Sequence, residues 1–224
     1  MHDTAQPAAG ASPATKKGEE TRERILEAAT ELIHQRGFKN TGVAEILAAS
    51  GVPRGSFYFY FESKEELGRV LLARYRERQR EALPDVFPED APAIPTILAF
   101  FEQSVRSQIE GGCKSGCLLG NLAAEITDEH QGLRLELEGV IQDVEQALAG
   151  ALARGQARGE LRADFAAEAA ATFVLSVFEG SILLAKARRD PQALEASMTM
   201  LARYLETLRR GAASGTPARK EGHA

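Results

Sequence analysis

The chain has 224 residues, 44% of them apolar, with a formal net charge of -5 and an isoelectric point near 5.5. That is enough apolar material for a real core, in one large domain or in a small domain joined to a larger one, and the acidic balance excludes a uniformly basic nucleic-acid coat. The charge is unevenly spread: residues 16–82 carry 13 Lys and Arg against 11 Asp and Glu, whereas residues 83–224 carry 14 against 20, a bias that permits nucleic-acid contact in the first segment.

Residues 1–18 are rich in Ala, Pro, Thr, Gly and Ser and are expected to form a disordered tail, because they bury too little apolar surface to offset ordering entropy. Ile25, Leu26, Ala29, Leu32 and Ile33 then form one stripe of a helix from about Thr21, ended by Gly37. Val43, Ile46 and Leu47 give a second, short helix with Thr41 as its cap and Gly51 as its stop.

Next comes PRGSFYFYF, residues 53–61, with five consecutive aromatic side chains. Alternation reads it as a strand, but a lone strand among helices leaves its backbone donors and acceptors without a ladder. At helical spacing Phe57 and Phe61 stand one turn apart and anchor to Ile46 and Leu32. Pro53, Arg54, Gly55, Ser56 and Phe59 are then left for base edges or sugar, and Tyr58 and Tyr60 for phosphates. A short helix, a glycine-containing turn and a second short helix make a helix-turn-helix, whose second helix enters the major groove of DNA. Ser63 and Glu66 fit a capping box that opens a fourth helix with Leu67, Val70, Leu71 and Tyr75 on its buried side.

Pro84, Pro88, Pro92 and Pro95 punctuate the passage to the second half. Helices are expected there at roughly 96–110, 118–127, 131–157, 164–188 and 191–209. In the last, Leu194, Met198, Leu201, Leu205 and Leu208 form a packing seam; the one before it carries Phe165, Phe173, Val177 and Leu184 among small residues such as Gly180 and Ser181. Two readings stay open: each stripe faces its own domain's core, or both pair with a second copy. Residues 211–224 resemble the first tail in composition. The whole reads as all-α: a helix-turn-helix DNA-binding domain over 19–68 and a larger helical regulatory and dimerisation domain over 69–210, between tails at 1–18 and 211–224.

Cys113 and Cys117 are the only cysteines, and in a reducing compartment such a pair suggests reactivity or burial more than a disulfide. The glycines of EGGCKSGCLLGNLAAEI, residues 110–126, place Cys117 near a helix N-terminus, where the helix dipole favours the thiolate; the competing reading is a buried structural thiol. No His lies within ten residues of either Cys, so neither a metal nor another cofactor is expected. There is no H-E-x-x-H or G-x-S-x-G, and GGCKSG lacks the Gly that precedes the Lys of a phosphate loop. An enzyme is not expected; the nearest enzymatic alternative is a thiol peroxidase or reductase using Cys113 and Cys117. With no 18-residue apolar run and no basic-then-apolar start, a cytoplasmic protein without a membrane partner is expected.

T-x-V-x-x-I-L-x-x-x-G-V-P-R-G-S-F-Y-F-Y-F-x-S-K-E-E-L, residues 41–67, resembles the DNA-binding domain of the TetR family of bacterial repressors. The resemblance implies that Thr41, Arg54, Ser56, Tyr58, Tyr60 and Lys64 touch double-stranded operator DNA, mostly its backbone; Phe59 departs from the His of many relatives. It also implies a homodimer over a near-palindromic operator, with Phe173, Val177, Leu194, Met198, Leu201, Leu205 and Leu208 of the last two helices at the interface. G-C-L-x-G-N-L-x-x-E at 116–125 and E-G-x-I-L-x-A-K at 179–186 resemble a subgroup that responds to reactive electrophiles, oxidised chlorine species or acrylate-type compounds. That likeness implies one pocket faced by Cys117 and Lys186, which brings Cys113, Asn121 and Glu179 into the candidate sensing site. A nearby ammonium would lower the Cys117 pKa, although Lys186 also reads as the start of a basic helix end with Arg188 and Arg189. The implied function is a repressor released when an electrophile or oxidant modifies Cys117; a noncovalent small apolar or acyl inducer is the alternative.

Overall fold

The computed structural model describes residues 16–126 and 130–211. The tails expected at the two ends lie almost wholly outside the described residues, as does residue 127 of the helix expected over 118–127. In chain order the elements are α1 (Lys16–Arg36), α2 (Val43–Ser50), a 3₁₀ turn (Arg54–Ser56), α3 (Phe57–Tyr60), α4 (Lys64–Val86), α5 (Ala93–Glu110), α6 (Leu118–Glu125), α7 (Gln131–Ala157), α8 (Ala167–Arg188) and α9 (Gln192–Thr207). Among the described residues the β-structure is a single bridge between Leu161 and Arg209. The fold is all-α.

Local chemistry explains where these helices start and stop. The apolar stripe of α1 begins at Ile25, but its helix begins at Lys16, earlier than Thr21, because the Lys and Glu of KKGEE favour helix without adding to the stripe and Glu19 sits at the positive end of the dipole. Helix α2 is capped at Gly42 rather than Thr41: the Glu45 carboxylate accepts from the Gly42 N–H at 2.9 Å. At α4 the expected cap is present, with the Ser63 hydroxyl accepting from the Glu66 N–H at 3.1 Å, and the Glu66 carboxylate reaches back to the Glu62 N–H. Pro84 does not precede the break but sits in the last turn of α4, which ends at Val86, since a proline tolerated there costs little when the helix is about to stop.

Two cores result. One joins α1–α4 to α6 and the first half of α7 through Ile25, Ile46, Phe57, Phe61, Leu67, Leu122 and Leu133. The other is the body, built on α5, α7, α8 and α9 around Ile97, Phe101, Leu148, Phe178 and Leu205. The seam of α9 resolves the two readings left open above: Leu194, Leu201, Leu205 and Leu208 are all buried in this chain's own body core and Met198 is half-buried against it. Such spacing identifies a face that must be covered; it does not say by what. Phe173, by contrast, is exposed, together with Leu183 and Leu184 on α8 and Met200 on α9, while Val177 is half-buried. Helix α8 is by length and composition apolar enough to cross a bilayer, but it packs against α7 and α9, and core helices meet the same criterion.

Candidate nucleic-acid interface and thiol pocket

Phe57 and Phe61 are fully buried in the head core, whereas Tyr58 and Phe59 are 74% and 81% exposed. The element that carries them is shorter than a rod over 53–61. A 3₁₀ turn leads into one α-helical turn, and Phe61 is already extended at φ -142°. Pro53, Arg54 and Gly55 are exposed; Ser56 and Tyr60 are half-buried. A Cβ at Gly55 would meet nothing within 4 Å, so packing does not demand this glycine and the backbone lies open to a close partner.

Two of the residues expected at DNA are otherwise engaged. Thr41 is wholly buried and donates its hydroxyl to the Gly37 carbonyl at 2.7 Å, so it shapes the α1–α2 turn and presents nothing to a ligand. The Lys64 ammonium lies 4.5 Å from the Phe38 ring centre and 3.4 Å from the Lys39 carbonyl. Burial holds its pKa below the ordinary lysine value, against the pull of Glu125. Lys64 therefore ties the start of α4 to the α1–α2 turn.

The second site sits under the head. After α5 the chain turns through Gly112, Cys113 and Gly116 at φ 64°, 53° and 74°, and Cys117 emerges as the N-cap residue of α6. Cys113 is buried, with its N–H bonded to the Gln108 carbonyl at 2.8 Å. Asn121 donates to the Ser115 carbonyl at 2.8 Å and accepts from the Lys186 ammonium at 2.7 Å. Lys186 thus braces the loop that delivers Cys117.

Cys117 opens onto a cavity of about 650 Å³ lined by Tyr75, Phe101, Phe178, Glu145 and Glu179 among others. Its side chain and Glu179 both lie against Gly120, and burial first, then the Glu179 charge, push the thiol pKa up to about 12, outweighing the Leu119 and Gly120 N–H groups of the α6 terminus. The lowered thiol pKa expected from the helix dipole and Lys186 is therefore corrected: the resting group is a thiol. Glu179 is itself raised by burial, partly offset by the neighbouring Cys117 thiol. A smaller cavity of about 320 Å³ between α1 and α4 shares Thr30, His34, Tyr75 and Leu118 with the first. Tyr75, whose hydroxyl burial pushes up to about 12, stands between the two.

Sequence reading met Glu125 only as the last letter of the 116–125 motif and gave it no role. From the far end of α6 its carboxylate accepts from the Lys39 N–H at 2.7 Å, across 86 residues of chain. It lies so close to Gly37 that a Cβ there would sit 2.0 Å from Oε1. Nothing local in the sequence signals so distant a partner.

A helix-turn-helix head carried on an all-helical body, with a thiol-lined chamber where the two meet, defines the helix-turn-helix class of regulators. Residues 25–69 match the family of bacterial regulatory proteins of the tetR type, and residues 93–201 match the tetracyclin repressor-like C-terminal domain. The chain is similar to a regulatory protein TetR from Rhodobacter sphaeroides, with 30% identity, a TM-score of 0.73, and coverage of 82% of this chain and 98% of that one. It is similar to the reduced form of NemR from Escherichia coli, with 29% identity, a TM-score of 0.76, and coverage of 87% and 99%. In sequence it is 34% identical over 94 residues to the HTH-type transcriptional repressor NemR of E. coli strain K12, spanning 42% of this chain and 47% of that protein. The aligned segment thus spans about half the length of the curated relatives it matches. The chain belongs to the TetR family.

Proposed function

We propose that this chain is a cytoplasmic transcriptional repressor, not an enzyme, which binds a near-palindromic operator as a homodimer and is released when a reactive electrophile or oxidant modifies Cys117. The observation that carries the reading is the position of Cys117 at the start of α6, in a cavity directly below the DNA-binding head, with the other end of α6 bonded to that head through Glu125 and Lys39. Pro53, Arg54, Gly55, Ser56, Tyr58, Phe59 and Tyr60 form the DNA face, with Arg54 as the candidate for bidentate contact to guanine. Similarity to NemR, a repressor by name, supports the regulatory class.

The test uses an operator selected from random-sequence DNA and N-ethylmaleimide as the electrophile. Cys117→Ser is expected to bind that operator with unchanged affinity and to stay bound on treatment, while the unsubstituted protein loses affinity at least tenfold. Normal release of the variant rules out the thiol mechanism. The largely apolar lining of the cavity, with Phe101 and Phe178, then favours the second reading, a noncovalent small apolar or acyl inducer.

A further inference from the structure

Cys117 and Glu179 are neighbours because α6 and α8 approach at a residue without a side chain. A Cβ on Gly120 would stand 2.9 Å from Glu179 Oε2 and 3.8 Å from the Cys117 Cβ. Glycine there lets the carboxylate reach over α6 to the thiol. The other polar groups lining the cavity are Thr30 and His34 from α1, Tyr75 and Gln79 from α4, Ser104, Ser107 and Gln108 from α5, Glu145 from α7 and Ser176 from α8. On α8 itself the Lys186 ammonium is held by Asn121 and does not line the cavity. The cavity lining thus holds two carboxylates and His34 but no Lys or Arg, although the Lys186 stem passes behind Gly116, where a Cβ would lie 2.9 Å from its Cδ.

Resting on the electrophile reading above, we infer that Glu179 is the proton acceptor for addition of the Cys117 thiol to an electrophile, and that the chamber admits uncharged α,β-unsaturated carbonyl compounds while rejecting anionic ones such as acrylate. In the addition the sulfur forms a bond to the β-carbon as its proton passes to the Glu179 carboxylate. The C=C electron pair moves toward the carbonyl oxygen as an enolate, and Glu179 returns the proton to the α-carbon. Nothing is oxidised or reduced and no group leaves. Such a pair keeps the thiol protonated and inert toward weak reagents until a molecule fits beside it, because general base assistance acts only in the assembled complex. Anions are disfavoured because each negative charge brought beside Glu179 and Glu145 in a partly desolvated chamber meets repulsion, while the ammonium of Lys186 is turned away onto Asn121 and is not part of the lining.

Two measurements test this on the full chain, both reading Cys117 adduct formation by mass spectrometry. In the first, rates with acrylamide and with acrylate are each divided by the rate of the same reagent with glutathione; the normalised ratio is expected to favour acrylamide by at least tenfold, and a ratio near one overturns the selectivity. In the second, the rate of the unsubstituted protein with acrylamide is expected to be flat around neutral pH and to fall as acid protonates Glu179, above the ordinary carboxyl value of 4.5. Glu179→Gln is expected to react about 100-fold more slowly at pH 7 and to rise tenfold per pH unit, as free thiolate becomes the only nucleophile. If Glu179 merely raises the thiol pKa, Glu179→Gln reacts faster, and that result overturns the proposal. Thermal melting of the variant shows whether it is folded, and the acrylamide to acrylate ratio needs no variant. Either failure leaves operator release by Cys117 alkylation standing, since that is read separately with N-ethylmaleimide and Cys117→Ser.

Discussion

Asp143 is only 9% exposed, and it accepts from Arg76 Nε at 2.6 Å and Arg80 Nε at 2.7 Å, each arginine adding a second bond to Oδ1. Hydrogen bonds from Arg76 foremost hold its carboxyl down to about 2, against an ordinary 3.8. A depressed carboxyl pKa stabilises the fold above the unfolded value, and the gain fades as pH falls through the folded one. Asp143→Asn is thus expected to lose about 1–3 kcal/mol at pH 7, discounted because Arg80 is half in water, and the gap to the unsubstituted protein is expected to close between pH 4 and pH 2 in urea unfolding. An unchanged gap at pH 2 refutes the assignment. None of this was legible in the sequence, since the partners lie 67 and 63 positions apart. Phe57 and Phe61 were legible because their spacing of one helical turn sets both rings on the same side, 5.6 Å apart. Cys117 was placed correctly at the start of α6 yet misjudged in chemistry, because burial depends on what distant helices lay over it, and Thr41 lost the α2 cap to Gly42 by one position.

At the scale of elements, glycine and proline marked most helix ends, as at Gly37, Gly51 and Gly111, because backbone chemistry there is local. Helix α6 shows what local chemistry leaves out. Its eight residues run from the Cys117 cap to Glu125, and Glu125 grips the Lys39 N–H of the head at 2.7 Å. A short hydrogen-bonded rod transmits displacement at one end to the other with little loss, so a bulky adduct on Cys117 should shift the α1–α2 turn. Glu125→Ala is expected to be alkylated at the ordinary rate and to lose several-fold less operator affinity on alkylation, within the 5–150-fold range of typical coupling. Operator titrations before and after N-ethylmaleimide check it; undiminished release means that α4, tied to α7 through Asp143, carries the signal alone.

At the scale of the whole molecule, one head reads only one half-site, and two heads held about 34 Å apart are needed to match successive turns of the groove. For the proposed homodimer, the candidate surface to hold them is the face of α8 and α9 that the chain's own core leaves uncovered. Phe173, Leu183, Leu184 and Met200 are exposed there, and the Phe173 ring packs on Tyr204 with centroids 4.7 Å apart. A Cβ on Gly180 would meet nothing within 4 Å, so this stretch of α8 is smooth enough for a second helix to approach closely. The inward seam and the outward face make opposite predictions. Leu184→Glu is expected to convert the dimer to a monomer at micromolar concentration with its melting of α-helix still cooperative, and to weaken operator binding by the loss of the second head. Leu205→Ala, which empties part of the body core, is expected to cost about 2–5 kcal/mol of stability while the folded fraction remains dimeric. Light scattering and thermal unfolding separate the two; if Leu184→Glu leaves the dimer intact, the outward face of α8 and α9 is not the interface.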